Sequence, residues 1–193
     1  MNGMEVAELW AEIEHWLRQH APVTAAALRV PATARDFTAV QQELSAELPA
    51  DLRAWWSCCD GTDPDVLAEV LPPFYTPYGL HKSLQEWRAK CEQLPVGRTA
   101  GRQAGAHSQA FHPEWMPIAG DGYADELVVD LRPGPLRGCV LEWEKDAGRV
   151  QWCGWRSIRD MLGSVHRALT EGTAVVHSFP VVTEDGRLTW RVN

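Results

Sequence analysis

The spacing of the apolar residues changes near residue 115, and that change limits what the chain can fold into. Before it, apolar residues recur every three or four positions, which is typical of helices that bury one face. After it they alternate with polar residues, as in antiparallel strands with one covered face. Helices followed by a block of strands predict an α+β fold, because a parallel α/β sheet requires helices and strands to alternate.

Capping residues and prolines mark the helix boundaries in the first half of the chain. Thr33 and Asp36 resemble a capping box, and Pro49 ends the helix that follows. Ser83 and Glu86 form a full capping box before a later helix. The predicted helices cover residues 4–20, 33–48, 50–59 and 83–94.

Two segments between these elements lack helical spacing. Residues 60–80 are rich in Asp, Gly and Pro and are predicted to form a long loop. Residues 95–110 contain regularly spaced glycines and no large apolar residue, so we predict a flexible surface insertion. A phosphate-binding loop is not expected there, because neither a buried strand before it nor a helix after it is visible.

The second half predicts an antiparallel meander that ends in a helix and a hairpin. Ser157 begins the late helix and Gly172 ends it, and Asp185 marks the turn of a C-terminal hairpin over residues 174–192. We therefore predict one α+β domain over residues 1–193, with about four to six strands and helices packed on one sheet face. The predicted meander strands cover residues 115–119, 126–131, 138–144 and 150–155.

The charge of the chain favours some partners over others. Among 193 residues, 26 are acidic and 18 are basic, so the net charge is −8. Such a surface repels nucleic-acid phosphates and attracts a basic protein partner. No run of about 18 apolar residues occurs, so no contact with a membrane is expected. Five cysteines without a C-x-x-C pair favour a reducing compartment, and we predict a cytoplasmic protein.

The sequence carries no recognisable catalytic motif. Its seven histidines form no H-E-x-x-H helix, and no serine stands in a G-x-S-x-G context. We therefore predict no catalytic residue, no cofactor and no metal ligand. One enzymatic alternative stays open: Asp121 and Asp125 flank a turn and could support a metal-dependent hydrolase.

Leu48-Pro-Ala-Asp-Leu, followed by Asp60-Gly61, is the first of three short motifs that occur in order along the chain. It is similar to the "LPxDY…NG" signature of the SUKH superfamily, which includes the fungal Smi/Knr proteins. Residues 115–121, followed by 127–131, resemble its second block of strand, Gly/Asp turn and strand. Trp155 and the residues after it resemble its closing strand and helix. The resemblance covers about residues 33–170, so the helix at 4–20 and the hairpin at 174–192 are additions to the shared core.

The resemblance implies a non-catalytic protein-binding domain. Bacterial members commonly neutralise a toxin, often a nuclease, encoded beside them, and fungal members act as regulatory scaffolds in cell-wall and stress signalling. We expect an immunity protein that binds a basic toxin; the alternative is a regulatory scaffold.

An acidic sheet face is the predicted partner-binding site. Glu126, Asp130, Glu142 and Glu144 occupy alternate positions on two consecutive strands and are expected to share the face away from the helices. That pattern fits either an ordinary solvated face or a docking surface for a basic partner. The other residues of this predicted site are the turn acids and candidate aromatic anchors, namely Asp121, Asp125, Tyr123, Trp152 and Trp155.

Overall fold

The computed structural model is an α+β fold built from six helices and two antiparallel sheets in the described part of the chain. It describes residues 4–44, 46–93, 103–106, 108, 110–145 and 149–192, with the backbone alone for 149–153. The helices are α1 (Val6–His20), α2 (Pro22–Ala26), α3 (Ala34–Leu44), α4 (Ala50–Trp56), α5 (Leu80–Gln93) and α6 (Ile158–Glu171). The strands are β1 (Thr76–Pro77), β2 (Trp115–Gly120), β3 (Glu126–Asp130), β4 (Val140–Glu144), β5 (Arg149–Trp155), β6 (Ser178–Val182) and β7 (Leu188–Val192).

The strands confirm the predicted meander. Strands β1 to β5 form one antiparallel sheet in chain order, and β6 and β7 form a separate hairpin. Helix α6 also begins and ends where the sequence indicates. The Asp160 N–H donates to Oγ of Ser157 at 3.1 Å, and Gly172 closes the helix with φ +67°.

Helix α5 begins three residues earlier than its sequence predicts. The N–H of Leu80 donates to Oδ1 of Asp60 at 2.7 Å, so a carboxylate from a distant loop caps the helix. Ser83, the predicted cap, is instead fully buried within the first turn. Tertiary contact therefore overrides the local capping box.

Both faces of the sheet are covered, whereas the sequence predicted helices on one face only. The larger core contains the inward faces of the helices together with Leu127 and Val129 of β3. A smaller core lies on the opposite face and contains Phe111, Trp115, Val128, Cys139, Leu141 and Trp143. The chain segment before β2 covers this second face of the sheet, which explains why β2 and β3 are buried at every position.

The predicted insertion at residues 95–110 lies partly outside the described residues. Of the part that is described, Ala104 and Ser108 are buried. The N–H of Ala104 donates to the carbonyl oxygen of Pro133 at 2.9 Å. These two residues are therefore not at the surface, and the flexible surface insertion stays a prediction for the segment as a whole.

The turn before β6 holds two non-glycine residues in the left-handed region. Val176 has φ +51° and His177 has φ +58°, and the flanking Val175 and Ser178 exchange two backbone hydrogen bonds of 2.9 Å. This geometry strongly favours Asn or Gly, because a Cβ is strained there.

Relieving this strain is expected to stabilise the protein. His177 is exposed, so His177→Gly removes the left-handed penalty without loss of packing and should raise the free energy of unfolding by about 1 kcal/mol. Thr173→Gly, at an exposed position where φ is not positive, should be neutral or destabilising. Urea denaturation checks both variants, and a loss of stability in His177→Gly would contradict the assignment of strain.

Candidate functional site

A groove of about 1020 Å³ lies between helix α5, the loop at residues 60–67 and the β2–β3 turn at residues 120–124. We call it the α5 groove. Its floor includes the aromatic side chains of Phe111 and Trp143 from the smaller core. A volume of this size accommodates a ligand or a segment of a partner chain.

Two glycines bring the loop at 60–67 against the start of α5. Gly61 has φ +72°, and a methyl group added to it would lie 2.2 Å from the backbone nitrogen of Gly79. Asp60, beside it, caps α5. The Asp60-Gly61 motif therefore fixes one corner of the α5 groove through close backbone contact.

Ion pairs and aromatic rings alternate along the α5 side of the groove. Lys82 contacts Glu86 at 2.5 Å, and its ammonium lies 5.6 Å from the centroid of the Tyr78 ring. Lys90 contacts Glu126 at 3.1 Å and lies 6.0 Å from the centroid of the Phe111 ring. Each lysine is thus held by one carboxylate and one ring face.

Glu126 is the most deeply buried carboxylate of the groove, with 3% of its side chain exposed. Burial raises its pKa to about 7, and Lys90 only partly offsets that effect. Because the folded-state pKa exceeds the ordinary value, folding favours the protonated form. Stability is therefore lost as pH rises from about 4.5 to about 7.

Replacing Glu126 by glutamine should remove this pH dependence. We expect Glu126→Gln to raise the free energy of unfolding by about 2–3 kcal/mol at pH 8 and by much less at pH 5. Glu92→Gln is a matched control, because Glu92 is exposed on the same helix. Urea denaturation from pH 5 to pH 8 checks this, and a constant difference between Glu126→Gln and wild type would contradict it.

The β2–β3 turn is organised by Asp121. Its Oδ1 accepts backbone N–H groups of Tyr123, Ala124 and Asp125 at 2.8, 2.9 and 3.1 Å. Oδ1 of Asp125 accepts the N–H of Lys145 at 2.9 Å. Both carboxylates proposed for a hydrolase thus accept backbone N–H groups, Asp121 within the turn and Asp125 from the residue after β4. The turn presents Tyr123 with 93% of its surface exposed.

The expectation that four strand acids share one exposed face is wrong. In the β3–β4 register, Glu126 lies opposite Trp143 and Leu127 lies opposite Glu142. Directly opposed residues share a face, so Glu126 and Asp130 lie on the side of the smaller core and Glu142 and Glu144 on the other.

Asp130 belongs to a buried ion pair and not to the predicted acidic sheet face. Asp130 and Arg132 are both fully buried, with Nη2 of Arg132 2.7 Å from Oδ2 of Asp130. The same Oδ2 accepts the N–H of Gly105 at 2.9 Å, and Nη2 also donates to the carbonyl oxygen of Ala106. The guanidinium lies 5.3 Å from the Trp115 ring. The pair attaches the chain before β2 to the sheet.

The remaining predicted site residues have different surroundings. Glu142 is half-buried, where burial raises its pKa, and it accepts the Tyr75 hydroxyl at 2.5 Å. Glu144 is half-buried at the end of β4. Trp155 belongs to the larger core with 5% exposure, so it is no surface anchor. The Trp152 side chain lies outside the described residues, although its backbone pairs with Glu142.

Three of the nine predicted residues therefore line one groove: Asp121, Tyr123 and Glu126. The sequence analysis missed Tyr78, Lys82 and Lys90, which also line it. The charges of Lys82, Glu86 and Lys90 recur every four residues and mark one helix face, which could have indicated them. Within the described ranges, no three His, Cys, Asp or Glu residues are placed to hold a metal ion, and no helix is long and apolar enough to cross a bilayer.

An antiparallel sheet preceded by helices, with a groove between α5 and a strand turn, defines an α+β domain with a surface cleft. The chain belongs to the SMI1/KNR4 family (SUKH-1), whose model matches residues 31–162. This confirms the resemblance found in the motifs.

A curated relative is the "Cell wall biosynthesis/cell cycle regulator smi1" of Schizosaccharomyces pombe. The two are 27% identical over an alignment of length 189, and the alignment covers 89% of this chain. The chain spans 37% of the length of that relative.

Proposed function

We propose that this chain is a non-catalytic protein-binding domain that binds its partner at the α5 groove. The supporting observation is the groove itself, with Tyr123 93% exposed and Leu67 59% exposed at its edges. Large exposed apolar side chains beside a cleft are typical of docking sites. Tyrosine is a common anchor of interfaces, because it buries a large rigid ring and keeps a polar end.

The mixed charges of the groove favour specificity. Carboxylates at Asp60, Asp65 and Asp121 line the same cleft as Arg29 and Lys145. A partner with the wrong charge arrangement would leave some of these groups unpaired, which disfavours binding. Their pattern therefore selects among partners more than it adds affinity.

Neutralisation of a toxin is the first role that we propose for this binding. The net charge of −8 favours a basic partner, as a nuclease toxin would be. Co-expression with the toxin encoded nearest to its gene should rescue cells, and the two proteins should co-purify. Failure of both would contradict this role.

A regulatory role is the second candidate, because the curated relative is named as a regulator of cell-wall biosynthesis and the cell cycle. It predicts co-purification with signalling or envelope-synthesis proteins of the same cell, and no toxin partner. The identity of the co-purified protein separates the two roles.

The binding site is tested with two aromatic variants. Tyr123→Ala should weaken binding of the identified partner by about tenfold or more, as loss of an interface anchor does. Phe74→Ala is the matched control, because Phe74 is 42% exposed and does not line the groove. Calorimetric titration of the purified partner measures both. An equal loss of affinity in the two variants, or a loss of affinity in Phe74→Ala alone, would place the interface elsewhere.

A further inference from the structure

Three side chains that carry oxygen acceptors line the sheet end of the α5 groove. A methyl group at Gly120 would lie 1.8 Å from the Tyr78 hydroxyl oxygen, so the phenol rests directly on Gly120. Gly120 is paired with Glu126 across the β2–β3 ladder, and Asp121 follows it in sequence. Tyr78, Asp121 and Glu126 all line the groove, and we call them the acceptor subsite.

Each of these groups keeps hydrogen-bonding capacity that the described part of the chain does not use. The Tyr78 hydroxyl makes no hydrogen bond there, and Asp121 accepts only through Oδ1. Nζ of Lys90 lies 3.1 Å from Oε2 of Glu126, but the buried Oε2 accepts no hydrogen bond, and Oε1 has no partner among the described residues either. The subsite thus offers acceptors that point to a ligand rich in donors.

The α5 groove already binds the cationic side chains of its own Lys82 and Lys90 through carboxylates and aromatic rings. The ammonium groups of Lys82 and Lys90 each lie over an aromatic ring and contact a carboxylate. A guanidinium carries five N–H donors and no acceptor, and it stacks on aromatic faces. It can therefore donate to more than one acceptor while it stacks on an aromatic ring such as that of Tyr78.

We propose that the acceptor subsite receives an arginine side chain of the bound partner. This inference rests on the proposed function, since it names the chemistry that the partner brings to the α5 groove. The arginine would bond Oε1 of Glu126, Oδ2 of Asp121 and the Tyr78 hydroxyl, while Lys90 keeps Oε2 or turns toward solvent.

The electrostatic surroundings of Glu126 favour the binding of a second cation beside Lys90. The charged groups that face it are Lys82, Glu86 and Lys90 of α5, and its pKa of about 7 shows that the lysines do not fully compensate burial. An added guanidinium stabilises the ionised carboxylate, so arginine binding should strengthen from pH 5.5 to pH 8.

The experiment titrates the free protein with N-acetyl-arginine methylamide, using the citrulline analogue as a neutral probe of equal shape. Backbone NMR shifts should move at Tyr78 and residues 120–126 with arginine and not with citrulline. Glu126→Gln should weaken arginine binding by about tenfold, and Glu92→Gln, exposed on α5, should change it less than about twofold.

Equal binding of the two probes, or wild-type arginine affinity in Glu126→Gln, would overturn the proposal. Its failure is separable from failure of the groove as a binding site. If the arginine probe does not bind while Tyr123→Ala still weakens binding of the partner, the α5 groove is a binding site and the proposed arginine site is wrong.

Discussion

Replacing Asp130 by alanine is expected to lower the free energy of unfolding by about 3–5 kcal/mol, because it leaves the Arg132 guanidinium buried without its counter-ion. Asp130 also accepts the N–H of Gly105, so the variant loses the attachment of the chain before β2. Loss of that attachment should expose the smaller core and raise the fluorescence of a hydrophobic dye.

Two comparisons make the Asp130 prediction specific. Asp185→Ala removes the surface partner of Arg187, and exposed pairs contribute little to stability because solvent screens them. The double variant Asp130→Leu/Arg132→Met replaces the whole pair by apolar groups and should recover the part of the loss that comes from the unpaired buried charge, but not the part that comes from the lost hydrogen bonds to Gly105 and Ala106. Urea denaturation measures all three, and a small loss in Asp130→Ala, similar to that in Asp185→Ala, would contradict the assigned role.

Replacing Gly61 by alanine is expected to destabilise the protein by at least about 3 kcal/mol, since two penalties combine. The backbone has φ +72°, and the new methyl group would lie 2.2 Å from the nitrogen of Gly79 and 2.5 Å from the carbonyl carbon of Tyr78. Neither contact is with a flexible side chain, so the loop must move away from α5. That movement would also disturb the α5 groove at Tyr78.

Gly163→Ala provides the matched control for Gly61→Ala. Gly163 lies within α6, and a methyl group added there meets no atom within 4 Å. It should therefore stabilise the protein by about 0.5–1 kcal/mol through helix propensity. Thermal unfolding of the two variants should shift in opposite directions. A Gly61→Ala protein as stable as wild type would show that this corner of the groove is not tightly packed.

Local patterns predicted much of the fold, because they report which residues face the nearest core. The alternation in β3 and β4 and the capping residues of α6 were sufficient to predict those elements. The start of α5 was not predictable, because Asp60 caps it from twenty residues away. Long-range hydrogen bonds of this kind leave no periodic signal.

The candidate site was predicted only in part, because alternation within a strand does not give the register between strands. A one-residue change in the pairing register of β3 and β4 moves the acids of one strand to the other face. Glu126 and Glu142 lie on opposite faces for this reason. The covering of the second face depends on the Asp130–Arg132 pair, and neither residue reveals from sequence that it is buried.

The two cores have a consequence for how binding can diversify. Phe111 and Trp143 line the α5 groove and belong to the smaller core, against which Trp87 and Cys91 of α5 also pack. The inward faces of the other helices lie in the larger core. Substitutions that reshape this side of the groove can therefore alter the packing of α5 while the larger core stays in place. A fold divided in this way can acquire a new partner preference by repacking one side of its sheet while the other side keeps the domain folded.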